Sequence, residues 1–211
     1  MDVIKTIKTR HTNKVRVNAE SPLPAEGKDL SEALEMMIET AGWAPFHFEC
    51  HESHRNDLQG VEPWRFYHID RKGCRELLAR FRDRNPLPAP EGLQQMLAAA
   101  DALVMVTWLP DPPEEDDFKG MFKPTARNME HIAAASAACQ NFLLTATSKG
   151  MDNYWSSGGV LRTPRVFQAL GIPDNQILLG ALFIFPDMEG KPGRNRELRS
   201  DPSGWSRKLN L

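Results

Sequence analysis

The stretch "RNMEHIAAASAACQNFLLTATSKG", residues 127–150, predicts the longest helix of the chain. It lacks the wide polar face that a helix at the surface of a globular protein usually carries. Six small residues in succession, 133–138, would let another helix or a ligand approach closely. Lys149 and Gly150 are typical of a helix end. The stretch therefore predicts a helix that is buried inside the protein or in a subunit interface.

Apolar, β-rich runs on either side of this helix predict buried strands. They are "ALVMVTWL" (102–109) and "QILLGALFIF" (176–185), and "WRFYHID" (64–70) predicts a third strand. Between the long helix and the last strand, "NYWSSGG" (153–159) predicts a tight turn because it contains paired glycines. Shorter helices are predicted within residues 1–12, 29–42, 72–81 and 163–171. One more short helix is predicted to end at Ala100.

Two more specific expectations concern side chains. In "DLSEALEMMIETAGWAP", Asp29 and Glu32 have the spacing of a capping box, which predicts the start of a helix there. Trp43, Trp64 and Trp155 are expected in the core, because large aromatic side chains are usually mostly buried.

The composition excludes several classes of protein. The 211 residues are 41% hydrophobic and carry a net charge of -2. This charge gives no reason to expect nucleic acid or an anionic membrane as a partner. The first residues lack the apolar core of a signal peptide, and no apolar run reaches the length of a membrane span. Because three widely spaced cysteines do not suggest a disulfide framework, we expect a cytoplasmic protein.

Common catalytic motifs are absent from the sequence. No predicted strand opens a GxGxxG turn, and GxxxxGK[ST], GxSxG and HExxH do not occur. Catalytic chemistry in this chain is therefore expected to come from a cofactor.

Six short segments occur in an order that is typical of one known family. They are "IKTRHTNK" (7–14), "AGWAP" (41–45), "EPWRFY" (62–67), "AACQNFLLTATSKGM…WSSGG" (137–159), "LGIPDNQILLGALFIF" (170–185) and "KPGRNR" (191–196). In this order the chain resembles the FMN-dependent nitroreductase family. The resemblance implies a single nitroreductase-like domain over residues 1–211, with an α+β fold, a central, mostly antiparallel sheet flanked by helices, and an intertwined homodimer. It also implies two FMN molecules at the subunit interface, each held by both chains.

The resemblance implies specific residues for the FMN phosphate and the polar edge of the flavin. The family begins with a pattern like RRSxR, and here Arg10, Thr12 and Lys14 match it while His11 replaces the second arginine. A guanidinium and a hydroxyl suit a phosphate, and a cation near the N1/O2 edge stabilises reduced, anionic flavin. A basic pair in the polar C-terminal arm, residues 187–211, would add a second phosphate contact. The best match is Arg194 with Arg196, and Lys191 is an alternative.

Other matches are implied to contact the flavin ring. The "WSSGG" segment corresponds to backbone beneath the ring, where glycine allows a close approach. Its four implied contacts are Ser156, Ser157, Gly158 and Gly159. Pro63 belongs to the segment that in the family resembles APSxxNxQPW, and it is also expected at the cofactor.

That segment is the place where the chain departs from the family. Trp64 follows Pro45 by 19 positions instead of the usual eight, so about eleven residues are inserted within 46–61, the inserted loop. Phe46, Gly60 and Glu62 stand where serine, asparagine and glutamine are expected. The usual polar contacts to the pyrimidine edge of the flavin are therefore replaced.

The inserted loop concentrates potential ligands, namely His47, Cys50, His51 and His54. On a helical turn, residues three or four apart would share a face and could bind a divalent metal or haem. However, no second ligand pair such as CxxC accompanies them. His47 or His51 could instead contact substrate or supply a proton, because histidine titrates near neutrality. The third interpretation is a polar loop packed at the dimer interface.

The sequence thus supports two hypotheses of function. In the first, FMN passes hydride from NADH or NADPH to a small electron-poor acceptor, such as a nitro compound, a quinone or an enone. In the second, the inserted loop has converted the fold into a binding or sensing protein without ordinary reductase activity, with a metal or haem as one ligand of the His/Cys loop.

Overall fold

A computed structural model describes residues 2–27, 29–83, 89–113, 120–186 and 201–209. The predicted phosphate contacts Arg194 and Arg196, together with Lys191, lie outside the described residues, as does most of the predicted C-terminal arm.

The described chain forms one antiparallel sheet and six α-helices. The strands are β1 (Trp64–Asp70), β2 (Ala102–Trp108), β3 (Asp152–Ser156) and β4 (Ile177–Phe185), in the spatial order β1-β2-β4-β3. The helices are α1 (Val3–Thr9), α2 (Ser31–Gly42), α3 (Arg71–Arg82), α4 (Glu91–Ala99), α5 (Ala126–Ser148) and α6 (Pro164–Leu170). All three strand pairs are antiparallel, which confirms the predicted α+β class with an antiparallel sheet.

Helices cover both faces of the sheet. Every residue of β2 is buried, and its side chains alternate between two core clusters, as the pleat of a strand requires. Leu103 and Met105 pack in the cluster that includes residues of α3, α4 and α6, whereas Val104 and Val106 pack in the cluster that includes α2 and α5. Central strands buried on both faces explain why their sequences are continuously apolar.

The long helix α5 lies on the sheet as its sequence predicts. Thr125 caps its first turn, since the Thr125 side chain accepts from the Asn128 N–H at 3.1 Å. The helix buries His131 and Phe142 against the sheet, and the His131 Nδ1–H donates to the Leu109 carbonyl at 2.8 Å. Met129 and Ala133 are exposed on another side of the helix.

Three local expectations were wrong. The first residues of "NYWSSGG" form the edge strand β3, because they pair with β4, and the turn begins only after Ser156. Trp43 is 82% exposed, since it follows the last residue of α2 at the surface. The capping box does not form: Asp29 accepts from the backbone and hydroxyl of Ser31, which is already the first residue of α2.

No described helix combines the length and the apolar character that a membrane span requires.

The inserted loop is held to β1 by Arg65, which is 5% exposed. The Nη1 group of Arg65 donates to the carbonyls of Glu62 (2.8 Å) and Trp64 (2.7 Å). Its Nη2 group donates to three carbonyls of the loop, those of His54 (3.2 Å), Leu58 (3.1 Å) and Gly60 (2.8 Å). Five carbonyls therefore converge on one buried guanidinium, which fixes the path of the loop.

A substitution at Arg65 tests this role. Arg65→Lys is expected to lower the free energy of unfolding by about 2–4 kcal/mol, since a buried carbonyl left without a donor costs about 1–3 kcal/mol and an ammonium cannot reach all five. Chemical denaturation measures the loss. The matched control is Arg16→Lys, because Arg16 is exposed. Substitutions at such surface positions change stability by no more than about 0.5 kcal/mol. Equal stabilities of the two variants would contradict the role of Arg65.

Candidate functional site

The basic segment after α1 lies along the edge strand β3. The Asn13 N–H donates to the Asn153 carbonyl at 3.0 Å, and Lys14 Nζ lies 4.5 Å from the centre of the Tyr154 ring. This cation–π contact orients the lysine at the edge of the sheet. Because Tyr154 and Ser156 are two residues apart on one strand, they are separated by about 7 Å.

The turn after β3 has the backbone conformation that glycine permits. Gly158 and Gly159 have φ angles of 99° and 53°. The Gly158 N–H donates to Ser156 Oγ at 3.2 Å. Arg162, which the sequence did not single out, holds the turn against β4, because it donates to the carbonyls of Ser157, Leu178 and Leu179.

We call residues 10–14 and 156–159 together the β3-edge group. Lys14 is an exposed cation beside the exposed His11 ring and Thr12 hydroxyl, and Arg10 is partly exposed at the end of α1. The His11 Nδ1–H donates to the Thr9 carbonyl at 3.0 Å. A guanidinium, an ammonium, an imidazole and a hydroxyl next to a glycine turn suit a ligand with an anionic phosphate and a flat ring. The described residues therefore fit FMN at this edge.

Among the described residues, the remaining predicted cofactor contact, Pro63, lies at the opposite edge of the sheet. Pro63 immediately precedes β1, is buried, and its carbonyl accepts from the Leu109 N–H at 3.1 Å. We call Pro45, Phe46, His47 and Pro63 the β1-edge group. The edge strands β1 and β3 are three strand positions apart. Three strand spacings correspond to about 14 Å. Within one chain the two groups therefore lie at opposite edges of the sheet.

The structure explains the three replaced residues of the family segment. Phe46 packs edge to face against Trp64, with ring centres 5.6 Å apart. Gly60 and Glu62 each offer a carbonyl to Arg65. These positions now serve the packing of the inserted loop.

Three members of the His/Cys set have structural roles in the loop. The His51 Nδ1 accepts from the Ser53 N–H at 3.2 Å and caps the turn 52–54. The His54 Nε2–H donates to the Pro110 carbonyl at 2.7 Å, and burial lowers the pKa of His54, which favours its neutral form. Cys50 is buried, and its thiol lies 3.6 Å from the Gly60 carbonyl. Within the described residues no three His, Cys, Asp or Glu side chains are arranged to hold a metal.

His47 has a different setting from the other histidines of the loop. Its Nδ1 lies 3.1 Å from Glu130 Oε2, on α5. Both side chains line a groove of about 320 Å³ with Pro45, Phe46, Ala133, Ala134 and Ala137.

Sequence reasoning missed four residues that organise the site: Glu130, Tyr154, Arg162 and Arg65. A signal existed for Arg65, because a charged residue interrupts an apolar strand at its second position. No local pattern marks Glu130, whose partner lies 83 positions away.

The fold and the β3-edge group together define an α+β protein with the features expected of a flavin-binding fold. A model of the nitroreductase family matches residues 7–184. The chain therefore belongs to the nitroreductase family, which confirms the resemblance seen in the sequence. YfhC of Bacillus subtilis (strain 168), provisionally named an NAD(P)H nitroreductase, is 28% identical over 178 residues, which are 79% of this chain and 76% of that protein.

Solved structures with low sequence identity share the fold. A nitroreductase-like family protein from Bacillus cereus is 19% identical with a TM-score of 0.68, covering 100% of this chain and 97% of that one. The FMN and NADPH-dependent nitroreductase NfnB from sphigopyxis sp. strain HMH is 15% identical with a TM-score of 0.64. A nitroreductase with bound FMN from Bacteroides fragilis NCTC 9343 is 18% identical with a TM-score of 0.60. Both of the latter alignments cover 100% of both chains.

The turn at Gly158 can be tested by adding a side chain. Gly158 has a positive φ. Gly158→Ala is expected to lower the free energy of unfolding by about 1–3 kcal/mol, because a residue with a Cβ rarely adopts this left-handed conformation. Gly42→Ala is the matched control, since nothing lies within 4 Å of the added Cβ and its φ is not positive. The control should change stability by less than about 1 kcal/mol. Similar losses in both variants would argue against a strained turn at Gly158.

Proposed function

We propose that the chain is an NAD(P)H-dependent FMN oxidoreductase that acts as a homodimer on a small electron-poor acceptor, such as a nitro compound, a quinone or an enone. The observation that carries the proposal is the β3-edge group, where cations and a glycine turn lie along one strand in a member of the nitroreductase family. The FMN bound in the Bacteroides fragilis structure and the cofactors named for NfnB support the choice of FMN and a nicotinamide donor. Three free, buried cysteines support a reducing compartment, the cytoplasm.

Each part of the β3-edge group has a role toward FMN. Arg10 and Thr12 would hold the phosphate, together with Arg194 and Arg196 or Lys191, and His11 would border it. Lys14 would stabilise negative charge at the N1/O2 edge of the ring, and residues 156–159 would support the ring with backbone groups. FMN itself supplies reversible hydride transfer when bound.

The separation of the two groups supports the homodimer. The β1-edge group cannot reach the β3-edge group within one chain, so a second copy would have to supply it. α1 and α2 both pack against α5. Each of the three helices carries exposed apolar side chains, and so does Trp43, which directly follows α2. These are Val3, Ile4, Ile7, Met36, Trp43 and Met129. Exposed apolar residues on adjoining helices favour an interface.

A binding or sensing protein without ordinary reductase activity is the second candidate. It is favoured by one observation, namely that Phe46, Gly60 and Glu62 now serve the inserted loop. The two candidates differ in whether bound flavin is reduced by a nicotinamide.

The absorbance spectrum of the purified protein tests the first candidate. We expect flavin bands that bleach with NADH or NADPH and return on addition of a quinone. Lys14→Met should weaken FMN binding by roughly tenfold, because a lost charge-assisted contact of about 1.5 kcal/mol corresponds to this factor. Lys5→Met, which removes an exposed lysine from α1, is the matched control and should bind FMN as wild type does.

Bound flavin that NADH and NADPH both fail to bleach would favour the second candidate. A protein that does not bind added FMN, or that binds it equally well after Lys14→Met, would contradict the proposed cofactor site.

The subunit arrangement is tested by sedimentation. Wild type is expected at twice the mass of one chain. Trp43→Lys should shift the equilibrium toward the single chain, because an interface that buries this side chain removes roughly 150–250 Å² of it from water. Met121→Lys is the control, since Met121 is 73% exposed but lies outside the three helices. A wild type that sediments as a single chain at all concentrations would contradict the homodimer.

A further inference from the structure

We infer that His47 donates a proton to a quinone acceptor and that Glu130 positions His47 for this step. This inference rests on the proposed function. The Nδ1 of His47 lies 3.1 Å from Glu130 Oε2, so the Nδ1–H donates to the carboxylate. The other ring nitrogen, Nε2, makes no hydrogen bond within the described part of the chain. An imidazolium held by a carboxylate on one nitrogen presents a defined N–H on the other.

The groove beside this pair has the shape and chemistry for a flat ring. Three alanines of α5, Ala133, Ala134 and Ala137, leave its α5 side without bulky side chains. Pro45 and Phe46 form an apolar wall, and Phe46 is fixed by its contact with Trp64. The groove volume of about 320 Å³ can hold a one- or two-ring molecule. Among the described residues that line it, only the side chains of the His47–Glu130 pair are ionisable.

An apolar groove that contains one ionisable pair favours a quinone as the acceptor. A quinone is flat and apolar across its ring, and each of its two carbonyl oxygens accepts hydrogen bonds. The Nε2–H of the His47 imidazolium provides one donor for one of these oxygens. A ligand with a charged carboxylate would lie close to Glu130 and would be disfavoured by like charge.

The proposed step balances in atoms and electrons. A quinone takes up one hydride, which is two electrons and one proton, and becomes the hydroquinone monoanion. The hydride comes from the reduced cofactor of the proposed function. The O–H bond forms as the Nε2–H bond of the His47 imidazolium breaks, which gives the hydroquinone and a neutral imidazole. Solvent then returns a proton to His47.

The contact between His47 and Glu130 contributes little to the folding stability of the protein. The side chains of His47 and Glu130 are 81% and 43% exposed. Exposed ion pairs contribute little to folding, so variants of either residue are expected to fold. The inserted loop offers a matched control, because Glu49 forms a similar exposed pair with Arg55 at 2.9 Å and does not line the groove.

A first measurement determines which nitrogen of the His47 ring carries the proton, and it does not depend on enzyme activity. In the full chain without added cofactor, long-range proton–nitrogen NMR of the histidine rings should show His47 protonated at Nδ1 when it is neutral. Glu130→Ala should remove this preference, Glu130→Gln should keep part of it, and Glu49→Gln should leave it unchanged. A His47 ring whose tautomer is the same in wild type and Glu130→Ala would overturn the role of Glu130.

A second measurement reads the proton transfer. The FMN-loaded protein is reduced with NADH or NADPH and mixed with 1,4-naphthoquinone in a stopped-flow instrument. His47→Ala should slow reoxidation by at least about tenfold and added imidazole should restore part of the rate, since general acids contribute about 10²–10⁴-fold. The loss should grow from Glu130→Gln to Glu130→Ala and be absent in Glu49→Gln. The rate of reduction should stay unchanged in Glu49→Gln.

The outcomes separate this inference from the proposed function. If wild type binds FMN and is bleached, but His47→Ala reoxidises at the wild-type rate, the inference is overturned and the proposed function stands. If wild type binds no FMN or is not bleached, the proposed function is overturned and the inference with it.

Discussion

The pairing of two buried strands, β2 and β4, is the constraint on which the rest of the structure depends. Ala102 pairs with Ile184 and Trp108 pairs with Ile177, so the two apolar runs lie side by side at the centre of the sheet. The less apolar strands, β1 and β3, therefore occupy its edges. Because the segments expected to contact the cofactor adjoin these two edge strands, the central pair also holds the halves of the candidate site apart. This strand order supports the proposed homodimer, in which two copies would share a site.

The guanidinium of Arg65 holds the backbone of the inserted loop in place. Arg65 has no carboxylate partner among the described residues, and the cost of burying its charge is offset by five carbonyl acceptors from the loop and its base. Three carbonyls of the loop backbone bind Arg65. His51 is hydrogen-bonded within the loop, and His54 is hydrogen-bonded to Pro110. His47 lies at the start of the loop, before these contacts begin, and is the histidine of the set that reaches α5.

Periodicity and apolar runs were sufficient to predict most of the fold. The three strands that are long and apolar, and the helix α5, follow from patterns within one segment. The strand β3 was missed because its residues, "DNYWS", carry little apolar signal and gain their conformation from pairing with β4. The candidate site was harder to predict from the sequence for the same reason. Lys14 with Tyr154 and His47 with Glu130 are contacts between distant segments, and charge patterns along the chain do not encode them.

The His47–Glu130 pair responds to its surroundings more strongly than a neutral hydrogen bond does. A hydroxyl or amide offers a hydrogen bond whose strength depends little on its surroundings, whereas the attraction between an imidazolium and a carboxylate increases as water is excluded. In the single chain the His47–Glu130 pair is largely in water. In the proposed homodimer a second copy would cover the groove beside α5 and strengthen the hold of Glu130 on the Nδ1–H. Subunit association would then orient the proton donor and enclose the acceptor in the same event.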